Sequence, residues 1–361
     1  MSKITTDYGL VYSTDGDLCV TKRTDIVPFP GITSYAVETG TTNYVLFPVS
    51  FSTSPAGVSI EYLDDYTAKV TVTDATQITE DTDILFNGGR TVDANTTVTV
   101  SEYVESTNTS NILPRIYGFG VMTDHEGKRY YKTVTHSSSW HFRVGVRILT
   151  TAVNGDYIIV SYPQIEIKPF ASSFVIGTRP NGRLVVEPED LGFNPGTDDW
   201  VVSYRKYPIA TRDNTLTQQN DCSFGALNQG YYITWGKERN SNYFRIYGSY
   251  SDGTHFFANS PTFNPDDYFR HWHSEVMLKD GGVLEYWVDG VLQCQLTLTK
   301  SLSNYSNIGL SLGGIRGSEP DNSLIANITY GKYTDQWTPE FIQEQAAMTQ
   351  GYYVPPKAVI V

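Results

Sequence analysis

His271, His273 and Glu275 stand at i, i+2 and i+4. Side chains on a regular strand repeat every second residue, so these three would share a face and offer the nitrogen and oxygen ligands a transition metal takes. Histidines and acids are equally ordinary on the wet face of a sheet. Asp280, Asp289 and Asp321 lie near glycine-rich turns and could supply carboxylate oxygens to a structural calcium, although no EF-hand spacing occurs. A third chemistry is saccharide recognition. A pyranose presents an apolar C–H face fringed by hydroxyls, which calls for exposed aromatic rings beside amides and carboxylates. Tyr231, Tyr232 and Trp235, close to Asn228, Gln229, Asn240 and Asn242, form the best such cluster, and Trp287, opposite in pleat to Tyr286 and Val288, is another. The competing place for these rings is the sandwich interior or a subunit contact.

Other chemistries find no residues to carry them. The acid pairs Asp64-Asp65, Asp198-Asp199 and Asp266-Asp267, and the run Glu187-Pro-Glu189-Asp190, put neighbouring carboxylates in turns or on opposite faces of a strand. Glycoside hydrolysis needs two carboxylates aimed at one bond. Nucleophile elbows, phosphate loops, dinucleotide fingerprints and His-Glu-x-x-His are all missing, so no catalytic residue is assigned. With 26 Lys and Arg against 39 Asp and Glu the net charge is −13, and no basic run exceeds Lys22-Arg23, which excludes general nucleic-acid binding. Nowhere do 18 apolar residues run together, so membrane insertion is not expected. Cys19, Cys222 and Cys294 are odd in number and far apart, which fits neither a disulfide framework nor a thiolate zinc site, and they read as free thiols.

Positioning these groups falls to strands. Of 361 residues 13% are aromatic and only 18% charged, with 26 Tyr and 30 Gly. Alternation of period two recurs at Val58/Ile60/Tyr62, Ala68/Val70/Val72, Phe142/Val144/Val146/Ile148 and Leu284/Tyr286/Val288. Each such strand buries one face, which predicts antiparallel sheets stacked as sandwiches. Asp15-Gly16, Asn87-Gly88-Gly89, Glu126-Gly127, Asn154-Gly155, Asp252-Gly253, Asp280-Gly281-Gly282 and Asp289-Gly290 supply the positive-φ residues of tight turns. One helix is predicted, with Thr338 as N-cap, Pro339 at its first position and Gly351 as its stop. The fold class is therefore all-β: two antiparallel β-sandwich (jelly-roll) domains with an N-terminal arm and one short C-terminal helix. Residues 1–35 are read as the arm, ordered against a partner; 36–180 as one jelly roll; 181–350 as a second sandwich; and 351–361 as a tail.

From about residue 183 to 345 the chain resembles the concanavalin A-like lectin/glucanase superfamily, in particular its laminin-G-like modules. Trp272-His-Ser-Glu-Val-Met-Leu-Lys-Asp-Gly-Gly-Val-Leu-Glu-Tyr-Trp-Val-Asp-Gly290 is similar to the family's Trp-led hairpin. Ile308-Gly-Leu-Ser-Leu-Gly-Gly314, Leu324-Ile-Ala-Asn-Ile-Thr-Tyr330 and Trp337-Thr-Pro-Glu-Phe-Ile342 follow in the family's order. The alternating acids of the glucanase branch, Glu-x-Asp-x-Glu on one strand, are missing. Upstream, Tyr162-Pro-Gln-Ile-Glu-Ile-Lys-Pro-Phe-Ala-Ser-Ser-Phe-Val-Ile-Gly177 resembles the last strand of carbohydrate-binding, galactose-binding-like jelly rolls embedded in phage tail and other minor structural proteins, and Trp140-His-Phe-Arg-Val144 the Trp-led strand ahead of it.

The expectation that follows is a tailed-bacteriophage virion protein. Its place would be the tail tip, baseplate or fibre, where it would bind host-surface glycans and attach to other virion proteins through the N-terminal arm. A capsid decoration or head-fibre protein is the alternative, and a glycan-degrading enzyme a remoter one. Without an apolar leader at Met1-Ser-Lys-Ile, synthesis in the host cytoplasm and release by lysis are expected. Weak sugar contacts gain from multiplicity, so a homo-oligomer, with a trimer preferred, is the expected state.

Overall fold

The computed structural model describes residues 4–5, 10–12, 18–23, 27–179, 181–182, 184–209, 222–225, 231–238, 241–302, 305, 308–314 and 321–348. The chain forms two compact units, one of residues 1–39 with 181–361, the other of residues 40–180. Strands dominate both, and their pairing is antiparallel throughout the ladders that position the groups discussed below.

In the first unit a nine-stranded sheet runs in the order Ile4–Thr5, Leu10–Tyr12, Leu18–Arg23, Ser34–Val37, Ser323–Lys332, Trp200–Pro208, His273–Asp280, Val283–Val288, Val291–Thr297. A six-stranded sheet runs Leu184–Val186, Leu310–Leu312, Cys222–Gly225, Tyr232–Lys237, Phe244–Ser249, His255–Asn259. Alternation drives the two together. Trp200, Val202 and Tyr204 on one strand and Phe224, Ile233 and Trp235 on the other sheet meet in a single core, while Val201, Val276 and Leu278 point to the opposite face. Each large apolar side chain buried this way contributes roughly 1.5–3 kcal/mol. That outer face is covered by the helix Pro339–Ala347, which seats Ile342 against it with Trp337 alongside. Thr338 caps the helix by accepting a hydrogen bond from Phe341 N–H at 3.3 Å. Gly351, its expected stop, lies outside the described residues.

The Asp-Gly turns fall where hairpins need them. Asp280 closes one strand and Val283 opens the next, and Val288 pairs Val291 across Asp289-Gly290. Asp289 holds φ 50° and Gly290 φ 77°, the left-handed region that a two-residue reversal demands.

The second unit is one sandwich. Its six-stranded sheet runs Asp124–Glu126, Arg129–Thr135, Thr97–Thr107, Tyr157–Glu166, Thr67–Val72, Val58–Tyr62. The facing four-stranded sheet runs Gly120–Val121, Ile112–Ile116, Val144–Ile148, Thr82–Leu85. Val70, Val98, Val100 and Val160 pack against Ile84, Ile112, Val144 and Val146.

The boundary placed at residue 35 falls inside a strand. Ser34–Val37, divided by the sequence reading between arm and jelly roll, pairs with both Leu18–Arg23 and Ser323–Lys332 inside the first unit's sheet. Ala36 and Val37 are each 1% exposed, and Val37 sits where a side chain at Gly313 would collide with it.

Candidate functional site

Several of the residues singled out from sequence are buried inside the first unit. Trp235, 1% exposed, lies between the sheets, because the pleat that turns Tyr232 outward turns Ile233 and Trp235 inward. Its indole N–H donates to the Tyr204 hydroxyl at 3.2 Å. That hydroxyl donates to Glu275 Oε2 at 2.6 Å, Tyr286 donates to the same oxygen at 2.8 Å, and Tyr268 donates to Oε1 at 3.0 Å. Three phenols thus enclose a carboxylate with no exposed surface. His273 and Glu275 do share a face of their strand, but it is the inner one; His271 is exposed. His273 donates through Nδ1 to Asp289 Oδ2 at 2.7 Å and through Nε2 to the Tyr268 carbonyl at 2.8 Å, under the Tyr268 ring. Burial pulls its pKa down, and the Asp289 carboxylate outweighs that, leaving it above the ordinary value.

The three calcium candidates are dispersed. Asp280 is exposed at a hairpin tip, Asp289 is bound to His273 and to Ser274 N–H, and Asp321 is buried in an ion pair with Lys206 Nζ at 2.7 Å. Among the described residues no group of three or more His, Cys, Asp or Glu side chains could hold a metal ion. Trp287 does face away from Tyr286 and Val288, but it is only 7% exposed, packed under the C-terminal helix. Cys222 and Cys294 are buried free thiols, and burial pushes Cys294 up to about 11, which keeps both from reacting as thiolates. Nothing is described of the Cys19 side chain.

What reaches the surface is Tyr232, on the outer face of the six-stranded sheet. There it meets partners from the two following strands that the sequence reading missed. Tyr232 and Tyr247 have ring centroids 5.7 Å apart, and Tyr247 stacks on His255 at 5.5 Å and 20°. The Arg245 guanidinium lies 4.6 Å from the Tyr247 centroid and 5.3 Å from that of Phe257, pinned by Glu238 at 3.0 Å. Phe257 is 58% exposed. The register explains the ladder, since Tyr247 is directly opposite Thr234 on one side and Phe257 on the other. Burial, then the Tyr247 hydroxyl, push the Tyr232 phenol above its ordinary pKa, so it stays protonated at neutral pH. Tyr231 instead leans toward the core beside Tyr305, Asn242 is exposed nearby in sequence, and Asn228, Gln229 and Asn240 lie outside the described residues. Period-two alternation of Arg245, Tyr247 and Ser249 in one strand and His255, Phe257 and Asn259 in the next was the available signal.

Neither a protein-family model nor a curated protein matches the sequence. Several solved structures show partial similarity to the chain. A CBM40 domain of Ruminococcus gnavus IT-sialidase, bound to α2,3-sialyllactose, is 13% identical over 42% of this chain and 83% of its own, with a TM-score of 0.30. Domain 4 of AbnA, a GH43 extracellular arabinanase from Geobacillus stearothermophilus, in complex with arabinotriose, is 16% identical over 49% of this chain and 80% of its own, TM-score 0.33. A putative carbohydrate binding protein from Bacteroides ovatus is 10% identical over 73% of this chain and 78% of its own, TM-score 0.31.

Proposed function

We propose that the chain is a non-catalytic structural protein that recognises saccharides through the outer face of its first unit. The observation that carries this reading is the Tyr232–Tyr247–His255 ladder with Arg245 held between Tyr247 and Phe257. Such a surface offers ring faces to sugar C–H groups, and a guanidinium, a phenol and an imidazole to the hydroxyl fringe. The resemblance of residues 162–177 to phage minor structural proteins supports placing it on a virion, at the tail tip, baseplate or fibre.

The test is binding of purified protein to an array of bacterial surface polysaccharides. Tyr247→Ala is expected to lower retention on the bound polysaccharides about tenfold, the loss of one stacked ring and its cation contact. Retention equal to wild type would remove this face from the proposal. Immunogold labelling of particles tests the virion assignment separately, and absence of label would refute it.

A further inference from the structure

The second unit carries an aromatic cluster that the reading above does not use. Between Ser161 and Gln164 the strand Tyr157–Glu166 bulges, because Ser161 pairs with Tyr103 and Gln164 with Ser101, leaving Tyr162 and Pro163 opposite Glu102 alone. Tyr162 adopts φ 50°, a left-handed conformation that a tyrosine takes only at a cost. Bulges of this kind re-aim side chains.

Here the re-aimed ring meets others. Tyr162 lies 5.8 Å from Tyr66 with planes only 17° apart, and Phe174 closes on both, at 5.0 and 6.3 Å. Tyr103 sets its edge against Tyr162 at 5.9 Å and 83°. The arrangement is tied down by the main chain. Tyr162 N–H donates to the Tyr66 carbonyl at 3.0 Å, and Tyr66 N–H donates to Asp64 Oδ1 at 2.7 Å. All four rings are half-buried rather than enclosed. Beside them Glu105 accepts from Ser161 Oγ at 2.6 Å and pairs with Lys128 at 3.1 Å. Burial, and then the charges of Asp64 and Glu105, hold the Tyr162 phenol above its ordinary pKa, so it remains a neutral donor and acceptor.

We infer that the Tyr66–Tyr162 pair, with its rim of Asp64, Glu105 and Lys128, is a second saccharide-binding platform, independent of the face on the first unit. The offset-stacked rings, half-buried, leave apolar ring surface for a pyranose C–H face to pack against. The rim, which mixes acid, ammonium and hydroxyl groups, hydrogen-bonds a neutral sugar's hydroxyls without demanding a net charge from it. Fixing Tyr66 and Tyr162 through backbone hydrogen bonds means little ordering remains to be done on binding. Saccharide as the ligand class is shared with the proposed function, but the residues, the unit and the test are separate.

The full chain is titrated with the methyl glycosides of glucose, galactose, mannose and N-acetylglucosamine, using saturation-transfer NMR. Three backgrounds are compared: wild type, Tyr247→Ala, and Tyr247→Ala with Tyr162→Gly. Glycine meets φ 50° without strain, so Tyr162→Gly removes the ring while favouring the observed backbone. Signal that survives Tyr247→Ala and weakens about tenfold when Tyr162→Gly is added supports the platform. In the same background Tyr162→Phe is expected to retain most of the signal and Tyr66→Ala to lose it. Signal unaffected by Tyr162→Gly, or no transfer from Tyr247→Ala protein to any glycoside, overturns the inference whatever happens at the first face. Tetramethylammonium binding at this cluster in preference to every glycoside would also overturn it, in favour of a cation site.

Discussion

Replacing Glu102 by Gln should change how the stability of residues 40–180 depends on pH. Glu102 sits in Thr97–Thr107 on the side of Val98 and Val100, has no exposed surface, and no side-chain donor or ion pair reaches its carboxylate oxygens. Burial holds its acid well above the ordinary value, and the main chain of Arg115 opposes this only in part. An unpaired charge there is costly enough that the folded state keeps the proton. In the unfolded chain a Glu ionises near pH ~4.3. Above that pH the native state binds one proton more than the unfolded state, so stability falls as pH rises, by about 1.36 kcal/mol per unit, until the native acid itself ionises. Below about pH 4 both states are protonated and the loss vanishes. Between pH 5 and pH 7 the wild type should therefore lose up to about 2.7 kcal/mol relative to Glu102→Gln, whose amide does not titrate. Every other group titrates alike in the two proteins and cancels. Equilibrium urea denaturation at each pH, read by proteolysis and mass spectrometry of peptides from Thr97–Thr107, measures the difference. Parallel stability curves for the two proteins over that range would show Glu102 ionised in the fold and refute the reasoning.

Removing the acceptor for three phenols by Glu275→Ala should cost on the order of 3–5 kcal/mol in the first unit, seen as a lower urea midpoint by tryptophan fluorescence. The His273–Asp289 pair shifts stability in the same direction as Glu102, since both groups hold their proton more tightly in the fold, but over a higher pH range. With the imidazole raised, its contribution is complete below the unfolded value near pH ~6.5 and is lost as pH climbs through the folded one. The stability advantage of wild type over Asp289→Asn should thus be widest in mild acid and narrow toward alkaline pH in the same assay. Chelation with EDTA should leave the melting temperature unaltered, since Asp289 and Asp321 are already engaged by His273 and Lys206; a fall restored by calcium would show a site outside the described residues.

The strands and turns were legible because they are local. Val283–Val288 reads as a strand from Leu284, Tyr286 and Val288 alone, and Asp280-Gly281-Gly282 and Asp289-Gly290 mark its two ends. The helix at Pro339 was equally plain, since a cap and a proline act within one turn. Aromatic function was not legible. Trp235 and Tyr232 stand three residues apart, an odd spacing, and alternation states that they face opposite ways without saying which way is in. Trp287 was correctly placed on the opposite face from Tyr286, yet a helix some fifty residues later covers it. The Tyr66–Tyr162 pair was beyond reach, because it depends on a bulge that only strand pairing reveals.

Composition and period two thus determined, from the sequence alone, that this protein is built of antiparallel sandwiches with many tight turns, since each strand's apolar face must find another sheet. Which rings became core, which stayed on a surface, and where residues 34–37 joined a sheet were decided by tertiary structure. Those outcomes depend on register and on which sheet edge lies nearby, and neither is a property of any short stretch of chain.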